Sequence, residues 1–113
     1  MDFESFNINT VSGFEWDKGN VEKNKKKHNL YKWQIEEVFF NDPLLIFEDT
    51  KHSIDEFRWY ALGKTDNEIK LMVVFTVRNN LLRVISARKM NQKERAYYET
   101  HMYPDRKSSN NKL

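Results

Sequence analysis

Residues 70–88 read KLMVVFTVRNNLLRVISAR, and this stretch decides the fold. Two runs rich in β-branched and aromatic residues flank Asn79-Asn80, a pair that tolerates positive φ and fits a two-residue hairpin turn. That turn predicts a register in which Arg78 faces Leu81, Thr76 faces Arg83, Val74 faces Ile85 and Met72 faces Ala87. Leu71, Val73, Phe75, Val77, Leu82 and Val84 then form one apolar face, expected on the core. Met72, Val74, Thr76, Arg78, Arg83 and Ile85 form the other. Arg78 and Arg83 become neighbours there, an unfavourable pairing unless an anion or a carboxylate sits between them.

Upstream, strand-like runs cover residues 44–48 and 57–63, and a short strand is expected around Phe14 and Trp16. Asp17 reads as the N-cap of a helix through Val21, Asn24 and His28, and Asn29 as its left-handed stop. A second helix carries Tyr31, Ile35, Val38 and Phe39 as an apolar stripe, with Trp33 and Phe40 off it. Asn41, Asp42 and Pro43 end it. Downstream, Asn91 and Glu94 have the spacing of a capping box for a helix through Tyr97, Tyr98 and His101 that stops at Pro104. The fold class read from this pattern is α+β. It comprises a short N-terminal strand, two helices, an antiparallel sheet of about four strands and a C-terminal helix. Residues 105–113, DRKSSNNKL, are polar and unpatterned and are read as a disordered tail.

With 113 residues, 39% hydrophobic and 32% charged, the chain fits a single globular domain. The absence of cysteine rules out disulfides, thiolate metal sites and cysteine nucleophiles, and suits a reducing compartment such as the cytoplasm. Residues 71–77, the longest uncharged apolar run, are far too short to span a bilayer. The first ten residues carry Asp2 and Glu4 and do not read as a secretory signal. Glycine-rich phosphate loops and metalloprotease or serine-hydrolase motifs are absent, and the three histidines are dispersed, so neither a metal nor another cofactor is expected.

Charge is segregated along the chain. Residues 18–32 carry six lysines against Glu22, and residues 78–95 six cations against Glu94. Residues 36–57 hold seven acids against Lys51. Each basic run fits a solvated face; brought together, the two would attract nucleic acid. His28 closes a lysine run, where an imidazole could exchange a proton with a phosphodiester, and also fits a helix C-terminus. Arg58, Arg78, Arg83 and Arg88 recur on the strands, where guanidinium forks suit a phosphate or simply block an edge. Tyr97 and Tyr98 could stack on bases, although an aromatic pair on a helix over a sheet more often belongs to the core.

Taken in order, the pieces are Phe14-Glu15-Trp16-Asp17, Asn24, Lys27-His28, Val38-Phe39 and Asp42-Pro43, then Glu56 and Arg58 before Ala61-Leu62-Gly63. Val73-Val74-Phe75-Thr76 with Arg78, and Arg83-Val84-Ile85-Ser86-Ala87-Arg88-Lys89 followed by Glu94-Arg95, complete the set. In order and spacing this set resembles the BrnT toxin family over residues 14 to about 98. Asn29 stands where that family usually has glycine, and the link to the second helix is one residue longer.

The resemblance implies a RelE-like fold, with an N-terminal extension over 1–13, one toxin domain over 14–103 and a tail over 104–113. It implies a metal-independent endoribonuclease, the toxin of a type II toxin–antitoxin module, that inhibits translation and growth. The catalytic candidates it carries over are His28, Arg58 and Arg88, with Glu56 as a possible base. Lys27, Arg78, Arg83 and Lys89 would bind RNA. The implied partner is a BrnA-like ribbon-helix-helix antitoxin in a 2:2 complex, with operator DNA reached only through the antitoxin and no membrane involved. The alternative is a non-catalytic RNA- or protein-binding module using the same basic face.

Overall fold

In the computed structural model, which describes residues 6–102, the expected hairpin forms from β4 (Lys70–Arg78) and β5 (Leu81–Lys89). Asn79 and Asn80 both adopt positive φ, 53° and 65°, as the tight turn demands. Close to the turn the register is the expected one, with Arg78 opposite Leu81 and Thr76 opposite Arg83. Beyond Val74/Phe75 a bulge shifts it by one, so that Val74 faces Ser86 rather than Ile85, and Met72 faces Arg88 rather than Ala87. The physical reason lies in the side chains. The extra residue keeps Ala87, 1% exposed, on the core face and turns Arg88 to the other.

Around the hairpin a five-stranded sheet assembles in the order β1 (Gly13–Glu15), β5, β4, β3 (Trp59–Lys64), β2 (Leu45–Glu48). All neighbours are antiparallel except β1, which runs parallel to β5 and pairs only with Leu81, Leu82 and Arg83. Past that point α1 (Lys18–His28) takes over the edge, where Asn20 Nδ2 donates to the Val84 carbonyl at 3.0 Å. Asp17 caps α1 through the Asn20 N–H at 2.7 Å, and Asn29, at φ 55° and ψ 40°, ends it.

One face of the sheet presents Trp59, Ala61, Leu71, Val73, Phe75, Leu82, Val84 and Ala87 to Ile35 and Val38 of α2 (Lys32–Val38) and to Leu30 and Phe39 beside it. Tyr31, placed on the buried stripe by its spacing, is 43% exposed. It precedes the helix in an extended conformation, its N–H donating to Gln34 Oε1, and Leu30 is buried in its stead. Within the stretch read as an extension, Phe6, Ile8 and Val11 pack on this core, and the Phe6 ring meets Phe75 edge-on at 4.9 Å.

The opposite face is only partly covered. α3 (Gln92–Met102) lies over Leu45, Leu62 and Met72 through Tyr98, which is fully buried and donates its hydroxyl to the Pro43 carbonyl. Burial pushes that hydroxyl up to about 12. The capping box forms as expected, Glu94 N–H donating to Asn91 Oδ1 at 2.8 Å and Asn91 N–H to Glu94 Oε1 at 2.9 Å. The tail over 104–113 lies outside the described residues.

Candidate functional site

The part of the outer face that α3 leaves open carries the arginines. Thr76, which shares this face, is nonetheless buried, because the segment before β3 folds over it and the Phe57 carbonyl accepts its hydroxyl at 2.7 Å. That segment positions the next two residues. Arg58 extends the β2–β3 ladder by one rung, its carbonyl accepting from the Asp49 N–H at 2.9 Å while its own N–H donates to Ser53 Oγ at 2.9 Å. Glu56 projects beside it and is gripped by Arg78, whose Nε and Nη2 donate to the two carboxylate oxygens at 2.9 and 3.0 Å. Arg58, Glu56, Arg78, Lys51, Ile54 and Asp55 line one cavity of ≈490 Å³.

Arg78 and Arg83 are the neighbours that the turn predicts, and carboxylates of the chain itself resolve their repulsion. Arg83 donates through Nη1 to Glu15 at 2.8 Å and through Nη2 to Asp17 at 3.0 Å. The parallel docking of β1 against β5 brings these acids to it, since Glu15 pairs directly with Arg83. The hydrogen bond from Arg78 holds the Glu56 carboxyl below its usual range; burial opposes it, and the charges of Arg78, Arg58 and Arg83 each add a lesser push downward.

Arg88 lies further along β5 and is engaged differently. Its Nη1 and Nη2 donate to Glu94 at 2.8 and 3.0 Å, which ties the end of the strand to the first turn of α3. The Arg88 hydrogen bond, with a further one from the Asn91 N–H, keeps Glu94 below the ordinary carboxylate range. Lys27 and His28 sit in the last turn of α1, and Lys89 is exposed at the end of β5. Among the described residues no side-chain hydrogen bond or ion pair links His28 to Glu56, Arg58 or Arg88.

Of the eight predicted residues the fold therefore groups four, Glu56, Arg58, Arg78 and Arg83. Arg88 and Lys89 stand at the far end of β5, and Lys27 and His28 on α1. Arg58 differs from Arg78, Arg83 and Arg88, the other three candidate arginines. Its Nε is buried without a hydrogen-bond partner among the described residues, whereas Arg78, Arg83 and Arg88 each hold a carboxylate. A guanidinium that holds no carboxylate, on a residue lining an open cavity, is suited to a phosphate oxygen.

Sequence reading named Glu56 but missed Glu15, Asp17 and Glu94 as the acids that partner Arg83 and Arg88, and it gave Lys51 and Asp55 no place in the site. The alternation of Phe14-Glu15-Trp16-Asp17 carries a signal for two of the acids, because it puts Glu15 and Asp17 on one side of the entering strand.

Comparison with known proteins bears on this arrangement. The family model for BrnT, the ribonuclease toxin of type II toxin–antitoxin systems, matches residues 16–94. The fold is similar to the crystal structure of the Brucella abortus ribonuclease toxin BrnT, at 26% sequence identity and a TM-score of 0.55, over 71% of this chain and 97% of that one. Comparison with curated protein sequences gives no significant match. With the family model spanning well over half of the chain, this protein belongs to the BrnT family of ribonuclease toxins of type II toxin–antitoxin systems.

Proposed function

We propose that this chain is a metal-independent endoribonuclease that arrests translation and growth, and that Arg58 is the residue its chemistry depends on most. The observation that carries this reading is that Arg58 lines the cavity beside the Glu56–Arg78 pair and, unlike Arg78, Arg83 and Arg88, holds no carboxylate among the described residues. In cleavage by internal transfer, the ribose 2′-oxygen gives up its proton to a base and attacks phosphorus, the 5′-oxygen leaves and takes up a proton from water or an acid, and the products are a 2′,3′-cyclic phosphate and a 5′-hydroxyl. Negative charge grows on the non-bridging oxygens, where a preorganised guanidinium counts most. Arg78, Arg83, Lys27 and Lys89 serve as phosphate contacts in this reading, and Arg88 as a second donor once Glu94 yields.

The proton to be removed from the 2′-hydroxyl needs a base. Glu56, with its affinity for protons lowered by Arg78, is a weak one until an incoming phosphate draws Arg78 away. His28 is a second candidate and reaches the reacting strand only if the RNA also follows the last turn of α1. The domain spans 14–103, with residues 1–13 and 104–113 as additions to it, and it works in the cytoplasm. Its partner is a BrnA-like ribbon-helix-helix antitoxin in a 2:2 assembly that covers the arginine face and supplies the operator contacts.

The test is cleavage of single-stranded RNA by purified protein, with and without a chelator, alongside induction of the chain alone in bacteria. Cyclic-phosphate ends formed at equal rates in chelator, together with growth arrest, are expected. RNA binding with no cleavage would favour the non-catalytic module. Cleavage abolished by chelator would overturn metal independence.

A further inference from the structure

A second cavity on the outer face, larger than the one beside Arg58, holds none of the arginines. It is a groove of ≈690 Å³ between the start of α3 and the sheet, floored by Tyr60, Leu62, Met72 and Val74 and walled by Phe47 and Tyr97. That volume lies within the range of small-molecule sites. Phe47 and Tyr60 are cross-strand partners whose rings stack at 5.0 Å and 21°. Tyr97 leans over Phe47 from α3 at 6.0 Å and 57°, and it is 48% exposed, unlike the buried Tyr98 beside it. The ribonuclease reading gives this groove no role.

The geometry points to this groove as the subsite for one unpaired nucleobase of the RNA whose phosphate meets Arg58, an inference that rests on the ribonuclease reading. Tyr60 and Arg58 lie two residues apart along one strand direction and on one face. Their separation is therefore about 7 Å, the span from a phosphate to the base of the same or the next nucleotide. The ring walls offer flat surfaces to a flat ligand, and stacking accepts any base because every base has a π-face. Asn91 and Lys93 stand at the rim, where side-chain donors can meet a base edge. An amphipathic helix of a protein partner asks for a long apolar strip. Here the apolar floor is short and is bounded by Asp49, Lys93 and the Arg88–Glu94 pair.

The experiment uses the full chain and short single-stranded 2′-O-methyl oligonucleotides, which lack the attacking hydroxyl, with a single abasic position moved along the strand. Binding is read by fluorescence anisotropy, and cleavage is measured separately on ordinary RNA. We expect one abasic position to weaken binding by about tenfold. Tyr97→Leu and Phe47→Leu, which keep apolar volume and lose the ring, should weaken binding of the intact strand by a similar factor. Neither variant should lose much more at the sensitive abasic position, because ring and base act on each other. Trp33→Leu removes an equally exposed ring from α2, behind the sheet, and serves as the control that binds as the parent does.

A flat abasic scan, or losses that simply multiply, with cleavage intact, would overturn the subsite and leave the ribonuclease reading standing. A parent protein that neither binds nor cleaves RNA would overturn both. Tyr97→Leu that abolishes antitoxin binding while RNA affinity stays unchanged would assign the groove to the antitoxin and overturn the inference.

Discussion

On one face of the sheet Phe75 is enclosed by Phe39, Trp59 and Phe6, with ring centroids 4.9 to 5.8 Å away. On the other, Arg78, Arg83 and Arg88 each hold a carboxylate carried by a different part of the chain, and Arg58 holds none among the described residues. The first face is organised by burial, so a defect in it costs stability. The second is organised by matched charge in contact with water, where ion pairs contribute little to folding. Its composition is better explained by what the pairs leave ready. In the proposed ribonuclease, three guanidiniums are held in place until a polyanion competes for them, and the fourth, Arg58, has no carboxylate to give up.

The contrast predicts where mutations act. Phe75→Ala should destabilise the protein by about 3–5 kcal/mol, the range for a fully buried phenylalanine, as read by denaturant unfolding. A loss below about 1 kcal/mol would mean that this face is not the core. Gly63→Ala comes next. A Cβ there would lie 2.5 Å from Val38 Cγ1 and 3.3 Å from the Val38 carbonyl, so β3 and α2 must separate, at about 1–3 kcal/mol.

Two smaller effects belong to the charged face. Glu56→Gln releases Arg78 and should steepen the salt dependence of RNA binding by about 0.7 in the slope of log K against log salt, one added phosphate contact. Unfolding should barely register the change. Unchanged slope would show that Arg78 does not meet the RNA, whereas lost cleavage with improved binding would identify Glu56 as the base. Glu94 offers the smallest effect. Its folded pKa is depressed, so its contribution is present above the ordinary carboxylate range and fades as pH falls through the lower folded value. Glu94→Gln should therefore lower the melting temperature near neutrality and lose less on acidification than the parent does. Parallel melting profiles across acid pH would contradict this.

The two faces also differ in how far they were legible in the sequence. Alternation identifies Leu71, Val73, Phe75, Leu82 and Val84 as core because local pattern and burial coincide there, and Asn79-Asn80 sets the register nearby. The bulge was not legible from the turn, since it depends on Ala87 and Arg88 sorting themselves to opposite faces at a distance from it. Tyr31 misleads because its spacing continues the helical stripe while its backbone is extended. On the charged face, Arg78 and Arg83 are legible as neighbours, but their acids are not. Glu15 and Asp17 arrive through the parallel docking of β1, a contact across 68 and 66 residues that no local pattern encodes. The aromatic groove depends in the same way on where α3 comes to rest.

The central claim is that Arg58, and not its paired neighbours, supplies the donor that the reaction needs. Single-turnover cleavage of one RNA by Arg58→Ala and by Arg78→Ala, each checked for an unchanged melting temperature, tests it most directly. The account predicts a loss of about 100-fold or more in rate for Arg58→Ala, as for removal of one preorganised oxyanion donor. For Arg78→Ala it predicts a loss of less than about tenfold, expressed in binding rather than in rate, as for a phosphate contact that positions the strand. Folded Arg58→Ala that cleaves at the parental rate, or the reverse order of the two losses, would contradict it.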